Sequence, residues 1–183
     1  MMTKKELSLD MFYPERIFRL AENKTPEIFY NSSSEHAKIV HQALMKTSEK
    51  YICIYCGSMY TEISNNPKYL KLMEEFLNGD KERSIKILFA DYNPDFIEKP
   101  VAQVLANHPR QVKIKTYTGE VKYTGTPVHF TVADDRAFRL ETDIQNHIAQ
   151  GNFNSPKQAN KLKNIFDSIF ASQLAVNLNL SSN

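Results

Sequence analysis

Two short apolar segments lie on either side of a polar turn in the stretch Thr126-Pro-Val-His-Phe-Thr-Val-Ala-Asp-Asp-Arg-Ala-Phe-Arg-Leu-Glu141. From Val128 to Ala133 apolar side chains recur at every second residue, which is the period of a β-strand. Asp134-Asp-Arg136 is typical of a tight turn. The stretch therefore predicts a β-hairpin in which His129 lies on the face opposite to Val128, Phe130 and Val132. Since those three should face the core, we expect His129 to face a more polar side or a cleft.

Upstream of this hairpin, segments with helical spacing alternate with short apolar runs. Helices are predicted over residues 33–49, 66–79 and 95–107, and strands over residues 51–56, 84–90 and 111–117. Downstream, residues 143–154 are expected to form a loop, and Ser155-Pro156 to begin a long closing helix. Strands that alternate with helices are typical of parallel sheets. The predicted fold class is α/β, with a mostly parallel sheet and helices on both faces.

Length and composition indicate one globular domain. The chain has 183 residues, of which 42% are hydrophobic and 24% charged, both ordinary for a soluble domain. We expect an N-terminal extension (residues 1–30) packed on the domain, the domain itself (residues 31–176) and a polar tail (residues 177–183). No apolar run approaches the roughly 20 residues of a membrane span. The polar segment Met1 to Asp10 lacks a signal-peptide stretch, so a cytoplasmic location is expected.

Charge is distributed unevenly although its sum is only +2. Between residues 99 and 122 there are several basic residues and a single acid, Glu120. The basic residues of this segment are Lys99, Arg110, Lys113, Lys115 and Lys122. Such a segment is typical of a solvated edge strand and loop.

The two cysteines, Cys53 and Cys56, lie within an apolar run that predicts a strand. Residues three apart on a strand point to opposite faces, and zinc would need two further ligands. Core packing is therefore the interpretation that the pattern favours. Carboxylates with metal-ligand spacing are also absent, so neither a metal nor another cofactor is expected.

Nucleotide-binding and hydrolase motifs are missing from the chain. There is no G-x-S-x-G, no P-loop and no glycine-rich dinucleotide turn. Gly57-Ser58 follows the first buried strand, where α/β proteins tend to bind ligands. Ser58 is therefore a candidate ligand contact, although a plain turn is the more frequent meaning of a lone Gly-Ser.

The hairpin resembles the motif region of the phospholipase D superfamily. There, a strand with H-x-K-x-x-x-x-D enters an Asp-Asp or Asp-Gly turn and returns as a strand ending in Gly-Ser. Val132-Ala-Asp-Asp-Arg136 matches that turn. The upstream order of elements and the closing helix with Phe166-x-x-x-Phe170 extend the resemblance over about residues 30–172. The resemblance implies a phospholipase-D-like fold.

The turn fixes the register of the resemblance. The motif aspartate falls on Asp134, the lysine position holds His129 and the catalytic histidine position holds Pro127. The Gly-Ser position holds Glu141-Thr142. The chain therefore keeps the aspartate and lacks the nucleophile.

A second register remains open. It places His129 on the catalytic histidine, Thr131 on the lysine and Arg136 on the aspartate. The turn match would then be lost, so we prefer the first register.

The resemblance implies a chemistry that this chain can perform only in part. Members of the family transfer phosphodiesters through a phosphohistidine, while lysines neutralise the phosphoryl oxygens. Proline has no nucleophile, whereas a histidine at the lysine position can still donate to a phosphate oxygen. Asp134 could favour the charged imidazole if the turn brings the two side chains together. Equally open is the interpretation that His129 is an ordinary strand histidine and the turn only a turn.

The candidate residues follow from this comparison. His129 and Asp134 are candidates for a catalytic role, with neither assigned. The candidate ligand-binding residues are His129, Thr131, Asp134, Arg136, Arg139 and Ser58.

Three functions remain open at this stage. The first is a non-catalytic phospholipase-D-like module that binds a nucleic acid, nucleotide or lipid headgroup through phosphate, or a protein partner. The second is an active phosphodiesterase or nuclease that uses His129, and the third is a pure protein-interaction domain. Family members need two motifs per site, so a single motif implies a homodimer.

Overall fold

The structure is a computed structural model that describes residues 12–180. Its α-helices are α1 (Tyr13–Glu22), α2 (Ser34–Thr47), α3 (Pro67–Gly79), α4 (Pro100–Ala106) and α5 (Pro156–Phe170), and a short 3₁₀ helix covers Pro94–Glu98. Its strands are β1 (Ile28–Ser32), β2 (Tyr51–Cys56), β3 (Ser84–Phe89), β4 (Val112–Tyr117), β5 (Lys122–Tyr123), β6 (Thr126–Pro127), β7 (His129–Ala133), β8 (Ala137–Asp143), β9 (Ile148–Asn152) and β10 (Ala175–Asn177). The segment Met1–Asp10 and the end of the predicted tail, residues 181–183, lie outside the described residues. Within residues 12–180, no helix is both long and apolar enough to cross a bilayer.

One large mixed sheet organises the molecule. Its strand order is β1-β9-β8-β7-β2-β3-β4-β10, and β5 and β6 form a separate two-stranded ribbon. Only the pairs β2–β3 and β3–β4 are parallel, so the expectation of a mostly parallel sheet is not confirmed. The physical reason lies in the connections. Helices link β2, β3 and β4, whereas turns and loops link the strands from β7 to β9, and short connections can join only antiparallel neighbours.

The edge strand β1 and its neighbour β9 were not predicted from the sequence. β9 lies inside the segment expected to be a loop, and β1 spans the expected boundary between residues 30 and 31. Gly151 in β9 explains why the pattern is weak. A Cβ there would lie 2.3 Å from the Phe29 ring and 2.5 Å from the Phe138 carbonyl oxygen, so only glycine fits.

Two apolar clusters cover the two faces of the sheet, as the prediction of helices on both faces requires. One cluster joins α1, α2, α3 and α4 to the sheet, and the other joins α5 to it. Alternate residues of each strand enter different clusters: Cys53 belongs to the α5 side and Cys56 to the other. Burial raises the pKa of both thiols to about 12, which agrees with the predicted packing role.

Local signals set several helix ends. Asn66 caps α3 by accepting from Lys68 and Tyr69 N–H, with Pro67 at the first helical position. The N-cap of α2 is Ser33, whose hydroxyl accepts from His36 N–H. The helix predicted over residues 95–107 is divided at Pro100 into the 3₁₀ helix and α4.

Candidate functional site

The β7–β8 hairpin brings the candidate residues together in pairs. His129 lies directly opposite Glu141, and Thr131 lies opposite Arg139. These side chains point to the sheet face that carries α2, while Phe130 belongs to the cluster on the α5 side. The predicted alternation is therefore confirmed, and His129 faces a cavity.

A buried ion pair forms the floor of this site. Arg139 donates through Nη2 to Glu141 Oε1 at 2.7 Å and through Nε to Asn31 Oδ1 at 2.9 Å. Asn31, on the edge strand β1, donates in turn to the backbone carbonyl of His147. Arg139 is 3% exposed and Glu141 5%, so both charges are removed from water and depend on each other.

Glu141 also contacts two imidazole rings. Its carboxylate lies 3.4 Å from His129 Nδ1 and 3.2 Å from His147 Nδ1. Burial alone would raise the pKa of Glu141, but the contact with His129 and the charge of Arg139 together lower it to about 2. The ionised carboxylate therefore fixes both rings through Nδ1. The Nε2 atoms are left for other partners.

Two residues shape the space around the His129 ring: Tyr55 on β2 and Gly57 in the loop that follows it. Tyr55 packs edge-on against it, with ring centroids 5.8 Å apart. A Cβ at Gly57 would lie 3.3 Å from His129 Cε1 and 3.8 Å from Nε2. Glycine at this position therefore keeps the Nε2 side of the ring uncrowded.

A cavity of about 410 Å³ opens above these groups. It is bounded by α2, the sheet and the loop that follows β2. Its lining combines apolar residues (Ala37, Ile54, Met59, Ile63, Phe130 and Ile144) with polar ones (His41, Ser58, Thr61, Ser64, Tyr69, Asp91, His129, Thr131, Arg139, Glu141 and His147), besides Tyr55, Cys56, Gly57 and Tyr60. Such a mixture suits a ligand with an apolar body and a polar group.

The polar groups in the cavity include one that lacks a protein partner and two that burial keeps neutral. The buried Ser58 hydroxyl has no hydrogen bond among the described residues. Burial lowers the pKa of His41 to about 3 and raises that of Tyr69, so both stay neutral near pH 7. Burying the Ser58 hydroxyl unpaired costs free energy, which a ligand or water would recover.

The remaining candidates, Asp134 and Arg136, lie at the opposite end of β7. The Asp134 carboxylate accepts N–H groups of Glu49 at 2.7 Å, Lys50 at 2.8 Å and Tyr51 at 3.2 Å. Arg136 donates to the carbonyls of Thr47 and Phe153. The turn therefore does not bring Asp134 to His129, and the carboxylate beside His129 is Glu141.

The turn itself has a defined conformation. Asp134 and Asp135 have φ of 53° and 54°, and Arg136 N–H donates to the Ala133 carbonyl at 3.2 Å. Two consecutive left-handed residues are the mark of the type I′ hairpin turn. The three backbone hydrogen bonds to Asp134 offset the strain of that conformation.

Pro127, which the preferred register of the resemblance aligns with the nucleophile, lies in β6 and is exposed. It does not line the main cavity. It lines a neighbouring cavity of about 230 Å³, to which His129 also contributes. His129 is therefore the one histidine among the described residues that line this neighbouring cavity.

Of the six candidate ligand contacts, four line the main cavity and two do not. Those that line it are Ser58, His129, Thr131 and Arg139. Glu141 was not among the candidates, although the hairpin register alone places it opposite His129. His147 and Asn31 were also missed, because their positions depend on the unpredicted strands β9 and β1. Within residues 12–180, no group of three His, Cys, Asp or Glu side chains could hold a metal ion.

Comparison of the structure with solved structures gives the fold. It is similar to NucT from Helicobacter pylori, with a TM-score of 0.58 and 10% sequence identity over 83% of this chain and 100% of that chain. It is also similar to TrmBL2, an archaeal chromatin protein with a novel mode of DNA binding, with a TM-score of 0.60 and 11% identity over 96% of this chain and 62% of that chain. Phosphatidylserine synthase from Haemophilus influenzae Rd KW20 aligns with a TM-score of 0.48 and 15% identity over 83% of this chain and 39% of that chain. The likeness to NucT confirms the phospholipase-D-like fold.

Sequence comparison places the chain in a family. No curated protein sequence matches it significantly. Residues 33–176, from the N-cap of α2 to β10, match a family model described as a domain of unknown function, DUF7931. This span contains the sheet from β2 onward and, except for Asn31, the polar network of the cavity. The chain therefore belongs to the DUF7931 family.

Proposed function

We propose that the chain is a phospholipase-D-like module that binds a phosphate-bearing ligand in the His129 cavity without cleaving it. The observation that carries the proposal is the contact of His129 Nδ1 with the buried Glu141 carboxylate, 3.4 Å away. It fixes the ring and leaves Nε2 beside the space next to Gly57. From there a protonated imidazole can donate to a phosphate oxygen.

The surroundings of His129 support a ligand with two parts. Arg139 and His147 both contact Glu141, as His129 does, so a phosphoryl group would sit beside these three side chains. Met59, Ile63 and Tyr69 line the same cavity, which suits an apolar or aromatic body. A nucleotide, a nucleic-acid end or a lipid headgroup each combines these parts, and the proposal covers their shared phosphate.

The charges in the cavity argue against cleavage. Phosphoryl transfer needs cationic groups that stabilise charge in the transition state. No lysine lines the cavity, and the Arg139 guanidinium is already neutralised by Glu141. With Pro127 at the nucleophile's position, the site lacks both the nucleophile and the neutralising charge of the family it resembles.

A second candidate function is phosphodiester hydrolysis by His129 itself. The contact with Glu141 favours it, because a carboxylate on Nδ1 makes Nε2 a better nucleophile or base. Hydrolysis of bis(p-nitrophenyl) phosphate separates the two candidates. We expect no release of nitrophenolate above the buffer rate. Turnover that His129→Ala abolishes would replace our proposal with this second one.

Binding is tested by calorimetric titration with phenyl phosphate, which combines a phosphoryl group with an aromatic body. We expect His129→Ala to weaken binding by about tenfold or more, equivalent to one charge-assisted hydrogen bond. His108→Ala, outside the cavity, is the matched control and should leave affinity unchanged. Equal affinity of both variants, or no heat of binding at all, would refute the proposal.

The homodimer implied by a single motif belongs to the same proposal. In that arrangement a second chain supplies the groups that one cavity lacks. Sedimentation equilibrium with and without phenyl phosphate measures the mass. We expect the mass of a dimer. A monomer that still binds phenyl phosphate would refute the homodimer and show that one chain is enough for binding.

A further inference from the structure

A second polar concavity lies on the α5 side of the sheet, on the face opposite to the His129 cavity. In the register of β3 and β4, Lys86 is paired directly with Lys113, and Lys115 follows two residues later on the same face. They line a groove of about 600 Å³, called here the lysine groove. Its wall includes Phe170, Asn177 and Asn179.

The positive charge of this groove is uncompensated. No Asp or Glu is found among its lining residues. Across the described part of the chain, Lys86, Lys113 and Lys115 form no ion pair. Like charges directly opposite on neighbouring strands destabilise a sheet. An anionic partner would offset that cost.

Phe170 holds two of the ammonium groups in place. Lys115 Nζ lies 4.9 Å and Lys86 Nζ 5.7 Å from the centroid of its ring. Lys115 Nζ also donates to the Phe170 carbonyl at 2.7 Å. Cations that are already ordered lose less conformational entropy on binding. Lys113 is exposed at the open side of the groove.

We infer that the lysine groove binds the sugar-phosphate backbone of single-stranded nucleic acid. Lys86 and Lys115 are half-buried, so a thin strand can reach them where the flat surface of a bilayer cannot. Asn177 and Asn179 on the wall offer amide groups to sugars and bases. The Phe170 ring is already engaged by Lys86 and Lys115, so it does not stack with bases. Phosphate contacts therefore dominate, and binding does not depend on the base sequence of the nucleic acid.

The test is fluorescence anisotropy with a labelled oligothymidylate of about 15 nucleotides. We expect the double variant Lys86→Gln/Lys113→Gln to bind about tenfold more weakly. The control Lys71→Gln/Lys81→Gln removes the same charge from exposed sites at α3 and should change affinity by less than about twofold. Three phosphate contacts also predict a loss of roughly 20-fold between 50 and 200 mM salt.

Other outcomes would overturn the inference. Equal weakening by both double variants would show that only net charge matters. Binding of phosphatidylserine vesicles with no binding of the oligonucleotide would assign the groove to a membrane surface. The exposed single variant Lys113→Glu keeps the test valid if the double variant fails to fold. An oligonucleotide affinity that falls in His129→Ala and stays unchanged in Lys86→Gln/Lys113→Gln would place the oligonucleotide in the His129 cavity instead.

Discussion

The two ends of strand β7 differ in how their polar groups are satisfied. At the turn, Asp134 accepts three backbone N–H groups and has a structural role. At the other end, roughly 16 Å along the strand, His129 is held by Glu141 but has Nε2 unengaged in a cavity. One strand therefore ends in a carboxylate that stabilises a hairpin turn and begins with an imidazole that faces a cavity.

The largest effect that would sharpen this comparison is expected from Glu141→Ala. The substitution leaves Arg139 buried without its counter-charge, so we expect a loss of about 3–5 kcal/mol in the free energy of unfolding. Urea denaturation measures it. As a control, Arg139→Met/Glu141→Leu removes both charges and should recover most of the loss. A loss below about 1 kcal/mol for Glu141→Ala would mean that water reaches the pair.

The next effect is a dependence of stability on pH that comes from the cavity end. Below pH 6.5 the unfolded chain binds a proton at His41, whereas the folded chain does not until about pH 3. Because the unfolded state then binds more protons, stability falls as the pH falls through this window, by roughly 2.5 kcal/mol between pH 6.5 and 4.5. Glu141, with its pKa lowered to about 2, adds a further loss only below pH 4.5.

The variant His41→Leu isolates that dependence. Thermal and urea unfolding across pH 4.5 to 7 should show a flatter profile for His41→Leu than for the unmodified protein. His108→Ala is the control, since that residue lies outside the cavity. A wild-type profile that is already flat above pH 4.5 would mean that His41 is hydrated in the folded state.

A smaller effect is expected at the turn. Asp134→Ala removes the acceptor of three backbone N–H groups, so we expect a loss of about 2 kcal/mol in stability. Asp134→Asn keeps an acceptor and a residue tolerant of positive φ, so it should lose less. Affinity for phenyl phosphate should stay within about twofold of the unmodified protein. A selective loss of affinity in a folded Asp134→Ala protein would contradict the division between the two ends.

The sequence predicted those parts of the fold that rest on local patterns. Strand β2 and the hairpin turn were predicted because their periodicity and turn residues act within a few positions. Strand β9 was not, because Gly151 is fixed by the distant Phe29 ring and contributes no apolar signal. The extension of the antiparallel half beyond the β7–β8 hairpin was missed because pairing of β9 with β1 joins segments more than a hundred residues apart.

The site divides in the same way. His129, Thr131 and Arg139 were found because they share one hairpin. His147 and Asn31 reach the cavity only through long-range pairing, so no local pattern marks them. Glu141 is intermediate: pairing Ala133 with Ala137 across the turn is enough to place it opposite His129.

The most direct measurement of the central claim uses the five histidines of the chain as probes. The imidazole Cε1–H resonances are recorded by NMR while phenyl phosphate is added, and single histidine variants assign them. We predict that the resonances of His129 and His147 move together and saturate with one dissociation constant, while that of His108 stays in place. Resonances that do not move, or that move equally at all five positions, would contradict a ligand site at the His129 end of β7.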